Sequence, residues 1–215
     1  ERRDDFMYKA IIFDLDGTLW NPCKEVAMSW NLATKDINIE EITLERVEGL
    51  MGKNQQEIAK DLFSSFSIEE GLEILNKCFD YEEEYIKKHG ATLYENLENT
   101  LIELKKNYEL YIVSNCQAGY IETFLDFYNF HNYFVDIECA GNTNLSKGEN
   151  INLIIERNNI KKSFYIGDTM GDYTAAKFAK VPFVYAKYGL RKVEDDIKSI
   201  EKIEDVINVA KEILE

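Results

Sequence analysis

The 215-residue sequence predicts an α/β protein, a parallel sheet core flanked by helices with an α-helical cap inserted after the first strand. Three observations predict it. Short apolar runs alternate with segments of helical periodicity, the pattern of a sheet buried on both faces. Several of these runs stop at a small cluster of polar residues. Residues 21–90 break the alternation and contain no convincing strand.

The first strand is Tyr8-Lys9-Ala10-Ile11-Ile12-Phe13, which halts at Asp14-Leu15-Asp16-Gly17-Thr18. Within the insertion, Ile58, Ala59, Leu62, Phe63 and Phe66 mark one helix. A second carries Leu72, Leu75 and Phe79 with Ile74, Cys78, Tyr81 and Tyr85. The run Glu82-Glu83-Glu84 reads as a solvated helix face. Gly49, Gly52, Gly71 and Gly90 punctuate the region. Beyond it, Leu97, Leu101 and Leu104 fall at i, i+4, i+7, and Ile121, Leu125 and Tyr128 repeat that spacing. Leu110-Tyr111-Ile112-Val113 is a strand leading to Ser114-Asn115, and Val135 to Cys139 offers another. Ile151, Ile154 and Ile155 share a helical face; Phe164-Tyr165-Ile166 leads to Gly167-Asp168, and Phe183-Val184-Tyr185 is the last strand. Val206, Val209, Ala210 and Ile213 mark the final helix. The core therefore spans 7–20 and 91–215, and the cap 21–90. Met7 reads as the natural start, with residues 1–6 foreign to the native chain.

Forty acidic against 25 basic side chains leave a formal net charge of −15, which argues against a nucleic-acid or anionic-membrane surface. Hydrophobic residues at 45% and aromatics at 13% are too abundant for a disordered acidic chain. No apolar run approaches the roughly 20 residues that span a bilayer. Cys23, Cys78, Cys116 and Cys139 are scattered, with no C-x-x-C pair, so reduced thiols in the cytoplasm are expected and a structural zinc site is not. Any anionic ligand must be attracted locally, against the charge of the whole.

In an open parallel sheet, ligands bind beyond the carboxyl ends of the strands. Four polar punctuations fall after strands or strand-like runs: Asp14-x-Asp16-Gly17-Thr18, Ser114-Asn115, Lys147, and Gly167-Asp168-x-x-x-Asp172. Singly, each reads as a turn or a solvated side chain. In this order, on one sheet edge, they read as a site.

These residues carry a resemblance to the haloacid dehalogenase-like hydrolase superfamily, in its helical-cap branch that includes phosphoglycolate phosphatases and β-phosphoglucomutases. The likeness runs from Tyr8 to about Lys187, and its most specific part is D-x-D-G-T-L at residues 14–19. The resemblance implies a Rossmann-like core and phosphoryl transfer with Mg²⁺ as cofactor. It implies Asp14 as nucleophile, passing through an aspartyl-phosphate that water then hydrolyses. Asp16 would protonate the leaving oxygen and deprotonate the water. Asp14, the backbone carbonyl of Asp16, and Asp168 would hold the metal, with Asp172 completing or orienting its shell. Lys147 would stabilise the transferring phosphoryl, and Ser114 would hydrogen-bond the phosphate with the Asn115 amide beside it. Gly17 would permit the tight turn, and Thr18 would fix the loop and support Asp14. In the cap, Lys53 follows Gly49-Leu50-Met51-Gly52, where similar enzymes carry specificity residues. Asn21, Asn96 and Gly148 depart from the residues common in relatives, Asp, Gly and Pro respectively.

The expected activity is hydrolysis of a small phosphorylated metabolite by a monomer or weak dimer. A sugar phosphomutase of the β-phosphoglucomutase type is the alternative among enzymes. A phospho-Asp signalling or binding protein is the alternative outside them, although receivers phosphorylate a later strand and lack so large an insertion. His89 and His131 have no ligand-like spacing, Cys116 has no task in carboxylate chemistry, and Trp20 and Trp30 read mainly as packing residues.

Overall fold

The computed structural model describes residues 9–193 and 196–215. Met7, Tyr8 and the question of residues 1–6 lie outside them. Six strands form one parallel sheet in the order β5-β4-β1-β6-β7-β8. They are β1 (Lys9–Phe13), β4 (Glu109–Ser114), β5 (Asp136–Cys139), β6 (Lys162–Gly167), β7 (Phe183–Ala186) and β8 (Ser199–Ile200). β1 is central. The chain runs outward from it through β4 and β5 to one edge, then crosses back to its other side through β6, β7 and β8. The point of reversal lies at the carboxyl end of β1, the place where such sheets bind ligands.

Alternation along β1 supplies both faces of the sheet. Ile11 and Phe13 pack toward α5 (Leu97–Leu104), α6 (Tyr120–Tyr128) and α10 (Val206–Leu214). Ala10 and Ile12 pack with Ile151 and Ile154 of α8 (Lys147–Arg157) and with Ala175 and Ala176 of α9 (Met170–Ala179). The short α7 (Ala140–Thr143) links β5 to α8.

Between β1 and α5 comes the predicted helical insertion, in four helices: α1 (Cys23–Thr34), α2 (Leu44–Leu50), α3 (Gln55–Leu62) and α4 (Ile68–His89). Capping boxes start two of them, Asn54 with Glu57 on α3 and Ser67 with Glu70 on α4. The helix expected to run through Phe66 stops at Leu62, and Phe63 to Phe66 form a turn. A feature with no sequence signal closes the neck of the insertion. There β2 (Trp20–Asn21) pairs antiparallel with β3 (Thr92–Leu93). Two residues per strand are too few to show an alternating pattern.

One expectation is overturned. Glu82 does not face solvent: it is 4% exposed, on the stripe Gly71, Leu75, Cys78, Glu82, Ile86 that α4 turns inward. Glu84, two residues on, is exposed. The spacing of Glu82 from Cys78 and Ile86, four residues each way, overrides the charge run.

Candidate active site

The site is built at the end of β1. The Asp14 N–H donates to Ile166 O of β6 at 2.8 Å, which fixes where that carboxylate leaves the sheet. The chain then turns back on itself, with Thr18 N and Leu19 N donating to Leu15 O and Gly17 N donating to Trp20 O. Gly17 has φ +83°, and a Cβ there would stand 2.3 Å from Asp168 Oδ2. Glycine is required both for the backbone and for the space. Gly17→Ala is therefore expected to cost about 2 kcal/mol or more of stability and to displace Asp168, read by urea unfolding alongside activity. Thr18 Oγ1 is buried without a partner among the described residues, so its hydroxyl does not support Asp14; its carbonyl accepts from Tyr188 OH at 2.8 Å.

Lys147 is the first residue of α8, placed by a capping box between Ser146 and Glu149. Its buried ammonium lies 3.0 Å from Asp14 Oδ1 and 2.6 Å from Asp172 Oδ1. Burial works against that charge, but Asp14 and Asp172 outweigh it and hold Lys147 firmly protonated. Asp172 is fully engaged: its Oδ2 accepts from Asp168 N, Thr169 N and Thr169 Oγ1 at 2.8–3.1 Å, at the start of α9. Asp168 is held on one side only. Its Oδ2 accepts from Leu190 N at 2.7 Å, while its Oδ1 is buried without a partner among the described residues.

Asp14, Asp168 and Asp172 each offer an oxygen within 4.8 Å of the others. One ammonium faces three buried carboxylates. Burial first, then Asp172, raise Asp14 to about 7 against the opposing pull of Lys147. Burial, Asp172 and Asp14 raise Asp168 as well. An unpaired carboxylate oxygen, an excess of negative charge and an all-oxygen donor set fit a hard divalent cation such as Mg²⁺.

Asp16 stands apart from this cluster. Its Oδ1 accepts from Trp20 Nε1 at 2.6 Å and from Tyr120 OH at 3.2 Å, while burial raises it to about 6 against those bonds. Ser114 ends β4, and the Asn115 side-chain amide donates to Gly52 O of the cap at 3.2 Å, tying cap to core. A cavity of about 60 Å³ is lined by Asp14, Asp16, Ser114, Asn115 and Lys147 from the core. Val26, Trp30, Lys53, Phe79 and Glu82 line it from the cap. The Lys53 ammonium pairs with Asp61 of α3.

The family model described as haloacid dehalogenase-like hydrolase matches residues 11–186, most of the chain. The chain belongs to the haloacid dehalogenase-like hydrolases. A protein named phosphoglycolate phosphatase from Aquifex aeolicus is 27% identical to it, over 88% of this chain and 89% of the relative. Two solved structures share the fold. One is a haloacid dehalogenase-like family hydrolase from Streptococcus pneumoniae, with TM-score 0.79, 20% identity, and coverage of 94% of this chain and 98% of the other. The other is a β-phosphoglucomutase from Clostridium difficile, with TM-score 0.73, 21% identity, and coverage of 95% and 96%.

In this haloacid dehalogenase-like hydrolase, the structure brings together Asp14, Asp16, Ser114, Asn115, Lys147 and Lys53 around one cavity, with Asp168 and Asp172 beside Asp14 and Lys147. Sequence reasoning missed Tyr120, Gln117 and Glu82 and took Trp20 and Trp30 as packing. Each of the two indoles donates to a carboxylate, Trp20 to half-buried Asp16 and Trp30 to buried Glu82. Asn96 has φ +60°, a left-handed conformation that asparagine tolerates. His131 is exposed and bonded to Asp126, and His89 stacks on Tyr85, so neither enters the site.

Proposed function

We propose that this hydrolase is a Mg²⁺-dependent phosphatase of a small phosphorylated metabolite, acting through an aspartyl-phosphate on Asp14. The observation that carries the reading is the buried Asp14 carboxylate, held by Lys147 beside the unpartnered Asp168 Oδ1, with Asp16 two residues on, its carboxyl raised by burial to about 6. Mg²⁺, when bound, neutralises charge between carboxylates and phosphate so that two anions can meet. Asp14 attacks phosphorus while Asp16 gives its proton to the departing alcohol oxygen as the phosphorus–oxygen bond breaks. Asp16 then takes a proton from water, whose oxygen attacks phosphorus and displaces Asp14, releasing inorganic phosphate. Lys147 stays charged throughout and offsets negative charge on the phosphoryl oxygens, with Asp172 holding it in line. Ser114 donates to the phosphate from the end of β4. Lys53 adds a cation at the cavity wall once released from Asp61. The cap, residues 21–90 above the β2–β3 neck, shields the reaction from bulk water, and residues 7–20 and 91–215 form the catalytic core.

A screen of phosphorylated metabolites with and without Mg²⁺, following released phosphate, tests this. Hydrolysis that stops with EDTA is expected, and a hexose 1-phosphate should yield phosphate rather than an isomerised sugar. Turnover surviving thorough EDTA treatment would contradict the metal assignment.

The raised Asp14 carboxyl has a consequence for stability. The folded state holds a proton that the unfolded chain releases near its ordinary 3.8, so metal-free stability falls as pH rises from about 4 to about 7. Mg²⁺ at a hundredfold over its dissociation constant adds about 2.7 kcal/mol. Its effect on melting temperature should be larger at pH 8 than at pH 5, because protons compete for the same oxygens. Equal shifts at both pH values would contradict this.

A further inference from the structure

Glu82 is a buried carboxylate that the catalytic steps do not use. It reaches the cavity from α4, on the cap side, facing the wall that holds Asp14, Asp16 and Lys147. Two donors hold it: Trp30 Nε1 lies 2.5 Å from Oε2 and Gln117 Nε2 lies 3.3 Å from Oε1. A carboxylate has about four acceptor positions, so roughly two remain. Among the described residues no lysine, arginine or histidine pairs with it. On the cap side Val26, Leu50, Ile58 and Phe79 line the same space, while Lys53 and Lys147 also line it without pairing with Glu82. Gln117 lies three residues before Tyr120, whose hydroxyl reaches Asp16, so one short segment links Glu82 to the proposed proton donor. Burial, then the field of Asp16, push the Glu82 carboxyl up to about 8, as befits an acid with no counter-charge among its protein neighbours. A neutral glutamine would satisfy the Trp30 indole equally well. Structure alone therefore gives no reason for an acid here, and burying one is costly.

We infer that Glu82 reads the leaving group: it accepts a hydrogen bond from a hydroxyl or ammonium on the alcohol that is released, and it offers no counter-charge to a leaving group that carries a carboxylate. The inference rests on the phosphatase reading above and specifies its substrate class as phosphomonoesters of amino alcohols or polyols. Asp16 protonates the ester oxygen, and Glu82 holds the far end of the same fragment.

The test measures kcat/KM in Mg²⁺ for phosphoethanolamine, glycerol 1-phosphate, phosphoglycolate and para-nitrophenyl phosphate, with wild type and Glu82→Gln. Wild type should favour the first two over phosphoglycolate by about tenfold or more. Glu82→Gln should narrow that preference by about tenfold and leave para-nitrophenyl phosphate within about twofold. A wild-type preference for phosphoglycolate, or an equal loss on all four esters in the variant, would overturn the role of Glu82. If the variant does not fold, the wild-type ranking decides by itself. Absence of all hydrolysis by wild type would remove the phosphatase reading and this inference with it. An unchanged ranking with normal para-nitrophenyl phosphate turnover would remove only the inference.

Discussion

Asp14→Asn is expected to lower turnover about a thousandfold or more while leaving the fold intact. Asparagine keeps the shape and can still accept from the Lys147 ammonium, which lies 3.0 Å from Oδ1. What it loses is the charge that attacks phosphorus. The same change removes one of three buried carboxylates that oppose one another, so the melting temperature in EDTA should equal or exceed that of wild type. Para-nitrophenyl phosphate hydrolysis and thermal melts, run on one preparation, check both halves. Full hydrolysis by the variant would remove Asp14 as nucleophile. Lost activity with a collapsed melting temperature would make Asp14 a structural residue instead.

Lys147→Met is expected to damage activity and stability together. The ammonium is buried between Asp14 and Asp172, and removing one partner of a buried ion pair costs about 3–5 kcal/mol. The sign with pH follows from the carboxyls. Lys147 opposes the upward push on Asp14, so without it Asp14 retains its proton to still higher pH. A protonated Asp14 needs no counter-charge, and the destabilisation should be small near pH 5 and full near pH 8. Urea unfolding at the two values in EDTA reads this directly. Activity should fall about a hundredfold or more even in Mg²⁺, because the ammonium would oppose charge on the phosphoryl oxygens at the moment of transfer. Equal stability loss at both pH values, or near-normal turnover, would count against the role given to Lys147.

The core of this hydrolase was legible because its elements are long and periodic and its chemistry sits at strand ends. Asp14, Ser114 and Asp168 each terminate or follow a strand, and Lys147 and Asp172 lie in the first turns of helices, where motif and fold coincide. The pairing of Lys147 with Asp172 was not legible, since 25 residues separate them and only the packing of α8 against α9 brings them together. The first two cap helices escaped notice because α1 buries Ser29 and Thr34 among its apolar residues, and α2 has only seven residues. Glu82 was misread because a run of three glutamates masked its position on the buried stripe of α4. The indoles of Trp20 and Trp30 were taken for packing because sequence shows their bulk and not where their N–H groups point. Thr18 and Asn115 stand where expected, but their polar side-chain atoms do other things: one hydroxyl has no partner, and one amide binds the cap.

The central claim, covalent transfer to Asp14 with Asp16 as acid and base, is tested most directly by trapping. In Asp16→Asn, a nitrophenolate leaving group needs no proton, so phosphorylation proceeds while water activation fails. Mixing that variant with para-nitrophenyl phosphate and Mg²⁺ should release a burst of one nitrophenol per enzyme. Acid quenching and peptide mapping should then place one phosphoryl group on the peptide that carries Asp14. Steady nitrophenol release with no burst and no adduct, or an adduct on any other residue, would contradict the account.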